Sequence, residues 1–426
     1  MRQFFKKRIG LIILIVAILA FPSSLSTQAR LNMRAIVTGL AIDKVGEKYE
    51  VTAQIVKTSP STESGGEKAT VNFVSDTAET IIGAMSKLSY KTGKTAGFSH
   101  TNFVVLGKEI CEKDLTQTLD YFMRDNITND SMLLLIAKDK ASDELKKTKD
   151  VELSIAIGLQ KVFMYREKEG DGIMVSLLDF MKNTKEVSKT SVASMLELKS
   201  NDENSEDNPL GSGANSSGSL SGSSESSSSS SGGESGTEDG GEQGGGEKYQ
   251  YFEAQTSLGC FVGGKFVGLL EKDEVLGYML ANKKTTIDDI FVKNIKEPSL
   301  FDSKVGVKIK NKTNSFKLRF EGDVPCLELK VKIKNASIYE IESSELVGIP
   351  TDSQFEAIKN AIRETVSEKI NKCFEKTKEY KADIWSAYEL GMKYYYKKTI
   401  ENYPTMESFL ETLKINIDVE IDRLEY

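Results

Sequence analysis

Residues 34–56 of this 426-residue chain read RAIVTGLAIDKVGEKYEVTAQIV, and this stretch decides how the folded body begins. Arg34 to Ile42 is rich in apolar and β-branched residues, which favour a strand. Tyr49 to Lys57 places apolar residues at every second position, as in a strand with one buried face. Between the two segments, Val45-Gly46-Glu47-Lys48 contains a glycine suited to a tight turn. The sequence therefore predicts an antiparallel hairpin.

Strand and helix patterns alternate after this hairpin. Asp76, with a glutamate three residues later, resembles a capping box and predicts the start of a helix. Asp114 precedes a second amphipathic segment and is a candidate helix cap. Met132 to Ala137 is a continuous apolar run, typical of a central strand buried on both faces. With a helical pattern over residues 139–185, the order β-β-α-β-α-β-α predicts a mixed α/β portion over residues 31–199.

A low-complexity tract of serine, glycine and acidic residues occupies residues 200–248, and Ser226 to Ser231 is unbroken serine. This composition has few side chains to bury, so we expect a disordered linker. We interpret it as an expanded loop or a tether between the N-terminal portion and a C-terminal α+β portion over residues 249–426. A contact with peptidoglycan or with a partner is the alternative.

Patterned sequence resumes with a predicted hairpin and a helix. Leu258–Phe261 and Lys265–Leu269 are short strand candidates around Gly263-Gly264, and Asp273 to Leu280 is a helix candidate. Three alternating segments then predict three strands, at residues 305–309, 316–320 and 327–333.

The chain ends with two predicted helices and a strand. One long amphipathic helix follows Thr351-Asp352, a second covers Ala382 to Lys398, and Ile415 to Ile421 alternates as a strand. Acidic residues of this last strand would pair with Lys330, Lys332 and Lys334 if the two strands are neighbours. Otherwise each charged face is solvated by itself. The fold class we predict is α+β, with two or three domains of mixed β-sheets and packed helices.

The net charge of −7 is distributed unevenly along the chain. Ten acidic residues and no basic ones lie in residues 201–247, and the N-terminus is basic. The rest of the chain is close to neutral. It lacks the strongly basic balance of a nucleic-acid-binding protein, so we expect no nucleic-acid partner.

The N-terminal residues 1–29 have the order of a secretory signal: basic, then apolar, then small. The uncharged run Ile9 to Phe21 would span about 20 Å as a helix, less than the hydrocarbon core of about 30 Å. We predict a signal peptide cleaved near Ala29 or an uncleaved membrane anchor. Either places the body outside the cytoplasm. We assign membrane targeting to Arg2, Lys6, Lys7, Arg8, Leu11, Leu14 and Phe21.

Residue types that serve most catalytic and metal sites are scarce. His100 is the single histidine, and a lone histidine before a strand is typically structural. The four cysteines are far apart, with no C-x-x-C pair of the kind zinc sites use: Cys111, Cys260, Cys326 and Cys373. On a helical face with Ile370, Cys373 is a candidate small buried hydrophobe. No phosphate-loop, HExxH or EF-hand motif is present. We expect no enzyme, no cofactor and no metal.

Four tyrosines form the sharpest candidate for a contact surface: Tyr388, Tyr394, Tyr395 and Tyr396. At helical spacing Tyr388 and Tyr395 share one side. Core packing is one interpretation. The other is an amphipathic contact with a partner or with lipid headgroups, and we take the four residues as a candidate partner contact.

The chain resembles the Ger(x)C family, the C subunits of nutrient germinant receptors in spore-forming bacteria. Its opening, Ala35 to Lys44 followed by Lys48 to Ile55, is similar to the start of that family. Later blocks resemble the family in the same order: Phe98–Thr101, Val104–Gly107, Leu115–Asp125, Leu133–Ala137, Phe261–Leu280 and Tyr380–Ile384. The resemblance covers nearly all of residues 31–426 outside the low-complexity tract.

The resemblance implies several α/β domains and a membrane-associated location at the outer face of the spore inner membrane. It implies germinant receptor A and B membrane subunits as partners, and a non-catalytic role in receptor assembly or signal relay during germination. The alternative is an exported or membrane-anchored module that binds a small solute or a cell-wall ligand without receptor partners. A clear ligand pocket would favour that alternative.

Members of that family are typically lipoproteins, with a lipobox cysteine just before the first strand. No cysteine precedes Cys111 in this chain. Attachment of the family type would therefore need the uncleaved apolar segment or retention by partner subunits.

Overall fold

The computed structural model describes most of the patterned sequence. The described residues are 34–60, 67–124, 129, 131–147, 155–170, 172–199, 253–254, 257–282, 287–301, 303–342 and 348–426. The predicted signal or anchor and the predicted disordered linker lie outside the described residues.

Sixteen strands occur in the described part of the chain. In order they are β1 (Arg34–Val45), β2 (Lys48–Pro60), β3 (Glu67–Ala78), β4 (Thr95–Gly97), β5 (Phe103–Leu106), β6 (Leu133–Ala137), β7 (Thr190–Leu196), β8 (Leu198–Lys199), β9 (Glu253–Ala254), β10 (Leu258–Val262), β11 (Lys265–Leu270), β12 (Ile287–Val292), β13 (Lys304–Glu321), β14 (Val324–Glu342), β15 (Lys414–Ile421) and β16 (Leu424–Glu425).

Eleven α-helices accompany these strands over the same described ranges. They are α1 (Ile81–Thr92), α2 (Lys108–Cys111), α3 (Leu115–Arg124), α4 (Ala141–Lys147), α5 (Ile155–Glu169), α6 (Leu177–Lys185), α7 (Lys272–Ala281), α8 (Asp352–Glu379), α9 (Ala387–Tyr394), α10 (Tyr396–Asn402) and α11 (Met406–Thr412). The predicted α+β fold class, with mixed sheets and packed helices, is confirmed.

The first sheet has nine strands, in the order β11-β10-β7-β6-β5-β1-β2-β3, with β4 beside β1. The four central strands β1, β5, β6 and β7 are parallel. Antiparallel hairpins extend them at both edges, β2 with β3 and β10 with β11. Parallel strands need helical crossovers, and this explains why the central strands alternate with helices along the chain.

Helices cover both faces of this sheet, and side chains of successive residues alternate between two cores. In β1, Leu40 and Ile42 join a large core that includes α1, α3 and α6. Ala41 between them joins a smaller core formed with α4 and α5. The prediction of a central strand at Met132–Ala137 is confirmed, because all five residues of β6 are buried.

The start of α1 differs from the prediction at Asp76. Strand β3 continues to Ala78, and the helix is capped instead by Thr80, whose hydroxyl accepts from the Gly83 amide at 3.1 Å. Asp76 lies in the strand and pairs with Lys91 at 3.1 Å. The second cap is confirmed, since Asp114 Oδ1 accepts from the Thr116 amide at 2.8 Å.

The second sheet has the order β12-β13-β14-β15, with β16 beside β14. The two strands predicted at residues 305–309 and 316–320 are one strand, β13. Irregular pairing between Ile309 and Lys312 shifts the alternation by one residue. Inward positions are odd-numbered up to Ile309 and even-numbered from Lys312, so one bulged strand produced two separate sequence patterns.

Strand β15 lies parallel to β14, so the two strands are neighbours, and the charge pairing expected in that case occurs at Lys330 and Lys332. Lys330 pairs with Asp418 at 3.5 Å and also with Glu420, and Lys332 pairs with Asp422 at 3.1 Å. These charges are largely exposed and screened by solvent, so each pair contributes little to stability.

The ends of the low-complexity tract are held side by side. Strand β8 pairs with β9, with Leu198 opposite Ala254, and β7 pairs with β10, with Ser194 opposite Leu258. The tract is therefore inserted between the two arms of one antiparallel ladder. Strands β10 and β11 follow the tract in the chain but belong to the first sheet.

Candidate functional site

Helix α7 connects the two sheets, because it follows β11 of the first sheet and packs along α8 of the second. At Gly277 the two helices approach so closely that an added Cβ would lie 2.1 Å from the Lys369 carbonyl oxygen. Asp273 pairs with Lys369 at 2.7 Å and with Lys372 at 3.0 Å. Hydrogen bonds from these lysines hold the pKa of Asp273 below its usual value.

The other end of α7 is held by two side chains of β13. Buried Lys312 donates from Nζ to the carbonyls of Met279 and Leu280, each at 3.1 Å, and of Asn282 at 2.5 Å. Asn314 Nδ2 donates to the Leu280 carbonyl at 2.7 Å. These carbonyls lie at the C-terminal end of the helix, where the regular ladder of backbone hydrogen bonds stops. Burial lowers the pKa of Lys312 to about 8.

A third contact joins the residue after α8 to the edge of the first sheet. The Tyr380 hydroxyl donates to the Leu269 carbonyl of β11 at 2.9 Å. Together with the contacts of α7, this bond defines the junction between the sheets, the region built by α7, the first residues after α8, and β11. One large hydrophobic core runs through the junction and includes residues of both sheets.

The buried aspartates cap helices. Asp43 accepts from the amides of Ala141 and Ser142 at 2.7 and 2.8 Å and so caps α4. Asp383 accepts from the amides of Ala387 and Tyr388 at 2.7 and 2.8 Å and caps α9. Burial raises the pKa of Asp383 to about 6. Both carboxylates are occupied by backbone donors, which gives each a structural task.

All four cysteines are free and buried, and the prediction that Cys373 is a buried hydrophobe is confirmed. Burial raises the pKa of Cys260 to about 12 and that of Cys111 further. Such thiols hardly ionise near neutral pH, so they are poor nucleophiles and metal ligands. His100 lies exposed in a turn. The described ranges contain no group of three His, Cys, Asp or Glu residues that could hold a metal ion.

An open polar groove of about 650 Å³ lies between residues 294–297 and the first half of α8. Two of its cationic side chains already have partners in the groove: Lys296 pairs with Glu364, and Arg363 donates to Asn360 at 2.6 Å. A ligand would have to replace these pairs, and an open surface groove buries little of a small molecule. The groove is where a solute-binding activity could be tested.

The four predicted contact tyrosines do not act as one group. Tyr388 belongs to the core, 8% exposed, with its ring against Phe409 at 5.4 Å. The predicted helix over Ala382–Lys398 is broken at Tyr395, between α9 and α10. This break turns Tyr394, Tyr395 and Tyr396 outward, with exposures of 65%, 37% and 60%. The hypothesis of a partner contact therefore applies only to Tyr394, Tyr395 and Tyr396.

The residues assigned to membrane targeting, from Arg2 to Phe21, lie outside the described residues. None of the helices in the described part of the chain combines the length and the apolar composition needed to cross a bilayer.

Three residues that shape the junction were missed by sequence reasoning: Gly277, Lys312 and also Gly268, over which the Tyr380 ring lies so closely that an added Cβ would come within 2.3 Å of it. A glycine inside a strand or helix pattern signals that another part of the protein approaches closely, and this signal was available at both glycines. Lys312 had no signal of its own, because the bulge that turns it inward is not visible in the pattern.

Two family models match this chain, one on each side of the low-complexity tract. "Spore germination protein N-terminal domain" matches residues 27–198, and "Spore germination B3/GerAC like, C-terminal" matches residues 256–424. No curated protein matches. A solved structure described as the crystal structure of the GerBC protein is similar with a TM-score of 0.49 and 15% identity, over 91% of this chain and 96% of that one.

The two matches together cover well over half of the chain, in the order of the family, and they agree with the blocks of sequence that resemble it. This chain belongs to the Ger(x)C family of spore germination proteins.

Proposed function

We propose that this chain is the C subunit of a nutrient germinant receptor and that it works without catalysis, in receptor assembly or in signal relay. The observation that carries the proposal is the pair of family matches, which covers both halves of the chain. The buried carboxylates of Asp43 and Asp383 cap helices, and the buried thiols pack in the core. These structural roles support a non-catalytic function.

The junction supports a relay role. Helix α7 is fixed at its start by Asp273 and at its end by Lys312, and its middle touches α8 at Gly277. A displacement of either sheet would therefore move the same helix. A rigid element held at several points transmits a shift better than a flexible connection does.

The partners in this proposal are the A and B membrane subunits of the receptor, and the location is the extracytoplasmic face of the membrane. The N-terminal segment, as signal or anchor, would deliver the chain there. Tyr394, Tyr395 and Tyr396 remain the candidate contact surface in the described part of the chain.

Dipicolinate release from spores tests the proposal. A deletion strain, a strain complemented with the unchanged chain, and one complemented with Gly268→Ala would be compared across a nutrient panel. Gly97→Ala is the matched control, because an added Cβ there meets its nearest atom only at 3.8 Å. We expect the deletion to abolish the response to one nutrient class and leave release by a non-nutrient trigger intact.

A normal response of the deletion strain to every nutrient, in a background without other receptors, would overturn the proposal. Co-purification separates the two roles. Loss of the A and B subunits from a tagged Gly268→Ala chain indicates assembly, whereas an intact complex that fails to respond indicates relay. The binding-module alternative predicts a soluble ligand whose affinity falls with Arg363→Gln in the polar groove.

A further inference from the structure

The break between α9 and α10 creates a surface of exposed tyrosines and lysines beside a half-buried phenylalanine at the tip of the second sheet. We call it the tyrosine surface and define it by Tyr394, Tyr395, Tyr396, Phe320, Lys393 and Lys397. The Phe320 ring lies edge-on to the Tyr395 ring at 5.3 Å. The Lys393 ammonium lies 5.3 Å from the centre of the Tyr394 ring.

Contacts to the turn between β13 and β14 hold this surface in place. Lys398 pairs with Asp323 at 3.4 Å, donates to the Gly322 carbonyl, and lies 4.9 Å from the centre of the Phe320 ring. The Tyr403 hydroxyl donates to the Asp323 carbonyl at 2.7 Å. The aromatic rings are therefore presented on a fixed support, which lowers the entropy lost on docking.

The composition of the surface favours a lipid headgroup layer over a protein partner. Residues 393–402 read KYYYKKTIEN, with three lysines and one acidic residue. Lysine is depleted in protein–protein interfaces, where arginine is the enriched cation. Tyrosine with lysine is instead the combination found at bilayer surfaces, where the ring sits at headgroup depth and the ammonium extends to phosphate.

We propose that the tyrosine surface docks on an anionic phospholipid surface, with Tyr394 and Tyr396 at headgroup depth and Lys393 and Lys397 against lipid phosphates. This inference rests on the membrane location in the proposed function. It adds a second contact between the chain and the membrane, separate from the N-terminal segment. Two contacts matter because a single weak membrane signal gives only reversible attachment.

Fluorescence from a dye on the tyrosine surface tests this docking in the full chain. Tyr394→Cys would carry an environment-sensitive dye, and labelling is selective because the native cysteines are buried. Tyr90→Cys is the matched control, since Tyr90 is an exposed tyrosine of the first sheet's helix α1, 85% exposed. The vesicles contain phosphatidylcholine alone or with phosphatidylglycerol, and brominated acyl chains serve as quenchers.

We expect a blue shift and quenching at position 394 with phosphatidylglycerol, little change without it, and no change at position 90. Lys393→Gln with Lys397→Gln should raise the lipid concentration needed by at least about tenfold, because each lysine near an anionic surface is worth about fivefold. The N-terminal segment is identical in all variants, so it does not explain a difference between them.

Equal shifts with both lipids, an equal shift at position 90, or no effect of the lysine changes would overturn the inference. A shift that appears only after addition of the receptor's membrane subunits would overturn it in favour of a protein contact.

The dye assay involves no germination, so its result is independent of the dipicolinate test. If the dipicolinate test fails but the dye result is positive, the chain docks on membranes without being a receptor subunit. If the dipicolinate test succeeds but the dye result is negative, the chain is a receptor subunit that lacks this membrane contact.

Discussion

The ring of Tyr380 lies directly over Gly268, so that a Cβ added to Gly268 would come within 2.3 Å of Tyr380 Cζ. Gly268 belongs to β11, at the edge of the first sheet, and Tyr380 follows α8, which packs on the second. The Tyr380 hydroxyl also bonds to the neighbouring Leu269 carbonyl at 2.9 Å. Two segments that pack with different sheets thus meet where only glycine leaves room.

Gly268→Ala should lower the free energy of unfolding by about 1–3 kcal/mol, because the added methyl group displaces the Tyr380 ring. Urea unfolding followed by circular dichroism measures the change. Gly97→Ala, where the added methyl group meets its nearest atom only at 3.8 Å, should have a much smaller effect.

A double-mutant cycle with Tyr380→Ala assigns the cost to this pair. Once the ring is absent, Gly268→Ala should cost far less, which gives a coupling of about 1 kcal/mol or more. Strictly additive effects would show that the cost of the methyl group arises elsewhere.

The spacing of apolar residues predicted the elements in which that spacing follows directly from which faces are buried. The first hairpin, the central strand β6 and the long helix α8 were predicted correctly, and the pairing of Lys330 with Asp418 is the first of the two alternatives considered for those charges. Periodicity failed at β13, where the bulge after Ile309 reverses the alternation. It also failed where an interaction joins distant segments, because the contact of Gly268 with Tyr380 depends on tertiary packing.

The exposure of the tyrosines could not be predicted from sequence spacing either. The tyrosines were visible in the sequence, but helical spacing grouped Tyr388 with Tyr395. The break at Tyr395, with φ −134° and ψ 38°, separates them. Because one non-helical residue rotates all that follows, the spacing could not show which tyrosines are exposed.

Asp383→Ala should cost about 1–2 kcal/mol, because the amides of Ala387 and Tyr388 lose their acceptor inside the protein. Asp383→Asn should cost less, since the side-chain oxygen still accepts one of the two bonds and no buried charge remains. Thermal unfolding at neutral pH compares the variants. Equal losses for Ala and Asn would mean that the charge itself, rather than an acceptor at this position, holds the start of α9.

Lys312→Met should change how stability depends on pH. The pKa of Lys312 is lowered to about 8, whereas an unfolded lysine titrates near about 10.4. Between these values the unfolded chain binds more protons than the folded one, so this lysine makes the protein more stable as the pH rises. The unchanged chain should therefore gain stability relative to Lys312→Met from pH 8 to pH 10.

Urea unfolding at pH 7, 8, 9 and 10 measures this gain. Lys310→Met is the control, because Lys310 lies on the same strand with its side chain 47% exposed. Parallel curves for the unchanged chain and Lys312→Met would show that the ammonium keeps its ordinary pKa, held by the three carbonyls at the end of α7.

Replacing residues 201–250 with a short Gly-Ser turn should leave the fold intact, because the ends of the tract are already joined by the ladder between β8 and β9. Closing a loop of about 6 residues instead of about 50 should raise the free energy of unfolding by up to about 2 kcal/mol.

The measurement is urea unfolding of the shortened chain beside a chain with a Gly-Ser tract of the original length. If the tract were a tether whose length the two halves require, the shortened chain would lose stability and the full-length Gly-Ser chain would not. If its own residues made stabilising contacts, both replacements would be less stable than the unchanged chain. A gain confined to the shortened chain would show that the tract is an insertion at the end of one hairpin.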